Sequence, residues 1–138
     1  ADGHPDVVTS NYSSASVSVL LGDGDGTFAP RTDFVTVTNP WAVAIANFNG
    51  DGKPDLVTVG SLNTVSVLLG NGDGTFAPRT DFTSGTAPIG VAVADLNADG
   101  KADIATANYS DPSSISVLLG NGNGTFGPKT DIPTGTNP

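Results

Sequence analysis

A twelve-residue phrase occurs three times in this chain, and its spacing limits what the chain can fold into. From Val17 it reads Val-Ser-Val-Leu-Leu-Gly-Asp-Gly-Asp-Gly-Thr-Phe, and from Val65 Val-Ser-Val-Leu-Leu-Gly-Asn-Gly-Asp-Gly-Thr-Phe. From Ile115 it reads Ile-Ser-Val-Leu-Leu-Gly-Asn-Gly-Asn-Gly-Thr-Phe, so the offsets are 48 and 50 residues. Periods of that size belong to propeller blades and solenoids, in which each unit buries its apolar face against its neighbours. The 138 residues are therefore one unit repeated about three times.

The unit itself reads as all-β. Short runs of Val, Ala, Leu and Ile alternate with Gly, Pro, Ser, Thr, Asn and Asp, and no window sustains a helical period. The third unit gives a first strand at 90–96, a loop at 97–102, a second strand at 103–108 and a third at 115–119. A fourth strand is expected to begin near Phe126. Four strands joined by tight turns form a meander, the shape of a propeller blade. Small residues crowd the first strand (Ala42, Ala44 and Ala46; Ala92 and Ala94), as suits an inner strand near a crowded axis. Pro30, Pro78 and Pro128 place an edge strand at the other side, because proline cannot donate to a ladder.

On this reading blade 1 covers 1–40, blade 2 covers 41–88 and blade 3 covers 89–138. Ala1-Asp2-Gly3-His4-Pro5-Asp6 matches Ala98-Asp99-Gly100-Lys101-Ala102-Asp103, so blade 1 lacks its inner strand. Thr136-Asn137-Pro138 matches Thr38-Asn39-Pro40, just before Trp41. Three blades cannot close a ring, since propellers use about four to eight. The expected architecture is an incomplete propeller or one completed by oligomerisation, with an open strand edge to cover.

Charge points to the loops. All 14 acidic residues are Asp, and the net charge is -9. Asp favours turns and compact oxygen-ligand loops over helix surfaces. So negative a chain lacks the cationic surface that nucleic acid requires. There is no Cys, hence neither a disulfide framework nor a thiolate metal site. No apolar run reaches the roughly 18 residues of a membrane span.

The chemistry concentrates in Asp95-Leu96-Asn97-Ala98-Asp99-Gly100-Lys101-Ala102-Asp103. Oxygen side chains stand at positions 1, 3, 5 and 9, glycine at position 6 permits a sharp turn, and position 7 offers the Lys101 carbonyl. This is the pattern of the first nine positions of an EF-hand loop, and it suits a hard cation, Ca²⁺ better than the stricter Mg²⁺. The second copy supplies Asn47, Asn49, Asp51, the Lys53 carbonyl and Asp55, one charge poorer. The first keeps Asp2, the His4 carbonyl and Asp6, half a site. Three bound Ca²⁺ ions would bring the formal charge from -9 to -3. As a bland alternative, Asp-x-Asp-Gly is simply a hairpin turn, but its return at one place in every unit favours the metal.

Other features read as scaffold. The turns at 22–26, 70–74 and 120–124 lack the Lys and following helix of a phosphate loop, so they are hairpins. His4, the only histidine, falls where the other copies have Lys, so no catalytic set is assembled and no enzyme is expected. Trp41, Tyr12 and Tyr109 are candidate sugar-stacking residues, although packing explains each as well. Asn11, Asn108 and Asn123 open N-x-Ser/Thr sequons.

Taken together, Val-Ala-Asp-Leu-Asn-Ala-Asp-Gly-Lys-Ala-Asp-Ile (93–104) followed by Ser-Val-Leu-Leu-Gly-Asn-Gly-Asn-Gly-Thr-Phe (116–126) resembles the FG-GAP/VCBS repeat family. The resemblance extends over essentially the whole chain. Blades of integrin α-chain propellers, bacterial surface repeat proteins and certain fungal propeller lectins are similar. The resemblance implies Ca²⁺ at Asp95, Asn97, Asp99, Lys101 (carbonyl) and Asp103, and at Asn47, Asn49, Asp51, Lys53 (carbonyl) and Asp55. The expected function is a calcium-stabilised, secreted or surface-exposed propeller segment, structural, adhesive or self-assembling through its open blade edges or joined to the remainder of a larger propeller. A carbohydrate-binding lectin is the alternative, and a glycan or a surface protein is the candidate ligand.

Overall fold

The structure, a computed structural model, describes residues 3–110 and 113–135. Eleven strands form three antiparallel sheets, each a meander in chain order. The first sheet holds β1 (Val7–Asn11), β2 (Ser16–Leu20) and β3 (Thr32–Val35). The second holds β4 (Ala42–Ala46), β5 (Asp55–Gly60), β6 (Thr64–Leu68) and β7 (Thr80–Thr83). The third holds β8 (Pro88–Ala94), β9 (Asp103–Asn108), β10 (Ser114–Leu118) and β11 (Thr130–Pro133). The only helical turn among the described residues is a 3-10 turn, Tyr12–Ser14. The chain is thus an all-β array of blades, and among the described residues the first sheet holds no strand equivalent to β4 and β8. The end segments 1–2 and 136–138, whose matches set the repeat frame, lie outside the described residues.

Register and side-chain alternation explain how the blades stack. In β5 and β6, Leu56 pairs with Leu68, Val57 with Val67 and Val59 with Val65. Successive side chains point to opposite faces of a strand. Leu56 and Leu68 pack with Val17 and Val19 of the first sheet. Val57, Val59, Val65 and Val67 pack with Ile104 and Leu118 of the third. The central sheet is therefore covered on both faces, and all six β5 residues are buried. Phe48, just beyond β4, plugs the second junction beside Phe126, with ring centroids 5.5 Å apart.

A polar seam accompanies each apolar junction. The buried Thr36 and Thr58 hydroxyls pair across the first junction, and Ser84 and Thr106 pair at 2.8 Å across the second. No buried side-chain N or O atom among the described residues lacks a partner. Each inter-sheet link turns through a left-handed residue, Asn39 at φ 50° and Ala87 at φ 52°, directly before proline.

Two details differ from the sequence expectation. The outer strands begin at Thr32, Thr80 and Thr130, after the prolines rather than through them. Phe28, Phe76 and Phe126 instead form single bridges to Gly22, Gly70 and Gly120 that close the glycine hairpins. Proline ends this hairpin and lets the chain re-enter the sheet two residues later. The inner strands are also displaced: β8 starts two residues before the expected 90–96 and ends at Ala94, before the acidic loop, and β4 begins after Trp41.

Phe48→Ala should destabilise the chain by about 3–5 kcal/mol in urea unfolding, as expected for a buried aromatic. Leu96→Ala, at the half-exposed equivalent position of the third sheet, should cost well under half as much. Equal losses would contradict the assignment of Phe48 as the junction plug.

Candidate functional site

Position 9 of the acidic loop anchors the site. The buried Asp55 accepts the Phe48 N–H at 2.7 Å and the Gly70 N–H at 2.8 Å. Asp103, also buried, accepts the Leu96 N–H at 2.8 Å and the Gly120 N–H at 2.7 Å. Asp6 accepts the Gly22 N–H at 3.0 Å. One carboxylate thus ties its own loop to the following glycine hairpin, with charge-assisted bonds to main-chain donors. The hairpin sits so close that a Cβ at Gly22, Gly70 or Gly120 would fall 2.2, 2.0 or 2.2 Å from the carbonyl oxygen of Pro5, Pro54 or Ala102. Position 7 covers the next glycine: the His4 ring lies over Gly24, and the Lys53 and Lys101 stems lie over Gly72 and Gly122.

Positions 1, 3 and 5 stand outside this anchor, on the surface. Asp95 accepts the Asp99 N–H at 3.1 Å and the Gly100 N–H at 2.9 Å, and Asn97 accepts the same Asp99 N–H at 3.0 Å. Asp99 accepts the Lys101 N–H at 3.0 Å and pairs with its ammonium at 3.2 Å. In the second copy Asn47 accepts the Gly50 N–H, Asn49 the Asp51 N–H and Asp51 the Lys53 N–H, at 2.9, 3.1 and 2.9 Å. The backbone curls around these oxygens through left-handed glycines at position 6, Gly52 and Gly100.

As a cation site, the donor set fits in part. Asp95 and Asn97 aim oxygens at one shared point, the Asp99 amide, and carboxylate and amide oxygens are the ligands a hard cation takes. Asp55 and Asp103 have each oxygen committed to a backbone amide. Among the described residues no three Asp or His side chains gather into a metal-holding group. Asp2 lies outside the described residues, leaving His4 and Asp6 of the first copy.

The aromatic candidates divide. Tyr12 and Trp41 meet edge-to-face across the first junction, centroids 4.8 Å apart, and both stay about half exposed. Tyr109 occupies the Tyr12 position at the far end of the array and does not join them; its N–H bonds the Ala87 carbonyl. Two sequon asparagines are structural. The Asn108 amide donates to Ser114 and Ser116, at 3.0 and 2.8 Å, and Asn11 donates to Ser16 and Ser18. Asn123 remains exposed. The signal for this network, Ser-x-Ser opposite a strand-ending Asn, is visible in the sequence but reads there only as polar turn composition.

A family model described as an FG-GAP-like repeat matches residues 1–58, 47–106 and 95–138. No curated protein sequence matches the chain. Among solved structures, a chain of the Photorhabdus luminescens Tc holotoxin pore is similar, at 24% identity and a TM-score of 0.54. The alignment covers 96% of this chain and 6% of that one, so the likeness is one of fold over a small part of a much longer protein.

Local hydrogen bonding sets the acid behaviour of the exposed carboxyls. The Lys53 and Lys101 amides hold Asp51 and Asp99 below the usual carboxylate range. The Thr27 and Thr75 hydroxyls do the same for Asp25 and Asp73, and the Lys129 ammonium, then Ser116, for Asp131. A carboxyl whose folded pKa is depressed contributes stability that is present above its unfolded pKa and lost as pH falls through the folded one. Stability should therefore hold from pH 7 to about 5 and fall below the ordinary carboxylate pKa of about 3.9. The acid limb of Asp99→Asn, followed by urea midpoint against pH, should be shallower than that of the parent.

Proposed function

The chain belongs to the FG-GAP-like repeat family, and from that premise we propose that it is a calcium-stabilised segment of an extracellular β-propeller, structural or adhesive in role, that associates through its open blade faces. The role is one of binding and assembly, not catalysis. The observation that carries this reading is the match between the end faces of the array and its buried junctions. Phe76 and Phe126 are covered at the two junctions, while Phe28, their equivalent on the first sheet, is 44% exposed. Leu96, Leu119 and Ile132 of the third sheet occupy the places of Phe48, Leu69 and Phe82, and are 50, 42 and 47% exposed. A contiguous apolar face of this kind marks an interaction surface. Its two ends are complementary rather than identical, so association would be head-to-tail. No helix among the described residues is long and apolar enough to cross a membrane.

In this proposal Ca²⁺ is held by Asp95, Asn97, Asp99 and the Lys101 carbonyl, and more weakly by Asn47, Asn49, Asp51 and the Lys53 carbonyl. Asp103 and Asp55 fix the loops on which these ligands stand. The ion would relieve repulsion between the carboxylates, and Ca²⁺ at about 100 times its Kd adds about 2.7 kcal/mol per site. Melting and light scattering, each with Ca²⁺ and with EGTA, test both parts. EGTA should lower the Tm, Asp99→Ala should remove most of that difference, and the solution mass should exceed the monomer. An EGTA-insensitive Tm removes calcium from the account, and a strict monomer at high concentration removes association.

A second reading, glycan binding, is favoured by one observation: the half-exposed Tyr12–Trp41 pair presents ring surface at a blade junction, and aromatic faces stack on sugars. Trp41→Ala should then abolish binding on a glycan array without lowering the Tm by more than a few degrees. An array blank for the parent protein rejects this reading.

A further inference from the structure

We infer that Val37 with Gly60, and Gly85 with Asn108, are two reciprocal size pairs by which each inter-sheet link recognises the sheet that follows it. The two junctions are therefore not interchangeable. A link carrying valine fits a β5-type strand that ends in glycine, and a link carrying glycine fits a β9-type strand that ends in asparagine.

The apolar contacts do not tell the junctions apart. Val17 and Val19 of the first junction have Val65 and Val67 as equivalents in the second, and Leu56 and Leu68 have Ile104 and Leu118. The only change among these places is from Leu56 to Ile104. The difference lies in the links. Val37 is buried in the first link, and Gly85 holds its place in the second.

At the first junction the link presses on the end of β5. A Cβ on Gly60 would fall 2.9 Å from Val37 Cγ1, and 2.7 and 2.6 Å from the Thr38 and Asn39 carbonyl oxygens. At the second junction the relation is reversed. The fully buried Asn108 ends β9, and a Cβ on Gly85 would fall 2.2 Å from its Nδ2 and 2.7 Å from Ser116 Oγ. Neither glycine has a positive φ, so space rather than backbone conformation calls for them. The Asn108 amide is held from both sides: Thr106 donates to its oxygen, and its nitrogen donates to Ser114 and Ser116. A valine link laid on Asn108 would overlap a buried, hydrogen-bonded side chain. A glycine link laid on Gly60 would leave a hole the size of a valine side chain. Overpacking and cavities both destabilise.

The pair also sets the path of the link. The Ser61 N–H bonds the Thr38 carbonyl at 2.9 Å, one residue after Val37. The Tyr109 N–H bonds the Ala87 carbonyl at 2.9 Å, two residues after Gly85. The links thus differ in register by one residue. β8 accordingly takes in Pro88, paired with Asn108, while β4 begins at Ala42, opposite Val59. Near-identical repeats are prone to misassembly, and a penalty on the wrong neighbour keeps such units in order.

Two double-mutant cycles read by thermal unfolding test the pairs. Gly85→Val should lower the Tm by about 5 °C or more through overlap with Asn108. Combined with Asn108→Gly, it should lose less than the sum of the two single losses, again by about 5 °C. Gly60→Asn and Val37→Gly should couple in the same direction at the first junction, where Thr58, Thr64 and Ser66 stand at the places of Thr106, Ser114 and Ser116. If Gly85→Val does not fold, Gly85→Ala, which adds only the Cβ, takes its place in the cycle. In a crystal structure of the variant carrying both Val37→Gly and Gly60→Asn, the Ser61 N–H should bond the Asn39 carbonyl in place of that of Thr38. Losses that simply add at either junction overturn the inference. So does a Gly85 variant that melts like the parent, or a link that keeps its Thr38 bond.

Discussion

The buried carboxylate at position 9 of each acidic loop is the interaction on which the blades depend. Asp55 and Asp103 each bridge two backbone donors, one in the inner loop and one in the glycine hairpin more than a dozen residues later. A buried charge is tolerated only when paired or fully hydrogen-bonded, and here main-chain amides do all the pairing. The bridge fixes the end of the inner strand relative to the hairpin. That in turn sets where the residue after position 1 (Phe48 or Leu96) projects, and so whether a blade can plug its neighbour.

From this anchor the close fits follow. The hairpin glycines are needed because their Cα positions lie against the loop carbonyls and beneath the position-7 side chain. Gly24, Gly72 and Gly122 also take positive φ, which glycine adopts without penalty. The repeated phrase with which the chain declares itself is thus the counterpart of the acidic loop. Strand alternation then shares the apolar residues of β5 and β6 between two neighbours, so a blade in the middle of the array buries both faces while an end blade leaves one open.

Much of this is legible in the sequence because the period is strict. Blade order, the strands from β5 to β6 and β9 to β10, and the position of the acidic loop all follow from short β-branched runs between Gly and Asp. The starts of the outer strands are not legible, because Phe28, Phe76 and Phe126 look like strand starts, whereas tertiary closure of the hairpin uses each in a single bridge. The acidic loop is legible as a set of oxygen donors at positions 1, 3, 5 and 9, but spacing does not say which oxygens face outward. Burial assigns position 9 to the scaffold. Phe48 is hidden in the same way: inside Asn-Phe-Asn-Gly-Asp it reads as a spacer between ligands, and only its contacts with Ile104 and Phe126 reveal a plug.

Placing the scaffold carboxylate and the outward oxygens in one nine-residue loop joins two tasks physically. The carboxylates that would meet a cation, Asp95 and Asp99, belong to the same turn whose next residue, Leu96, is the apolar group presented at the end face. Leu96 donates its N–H to Asp103 while its side chain remains half exposed. Whatever orders positions 1 to 5 must also order the residue between positions 1 and 3. In a repeat array whose stability is a sum of unit and interface terms, ordering a loop strengthens the unit and presents its plug to the next blade at the same time. Loop chemistry and blade association are in that sense one variable, read at two places.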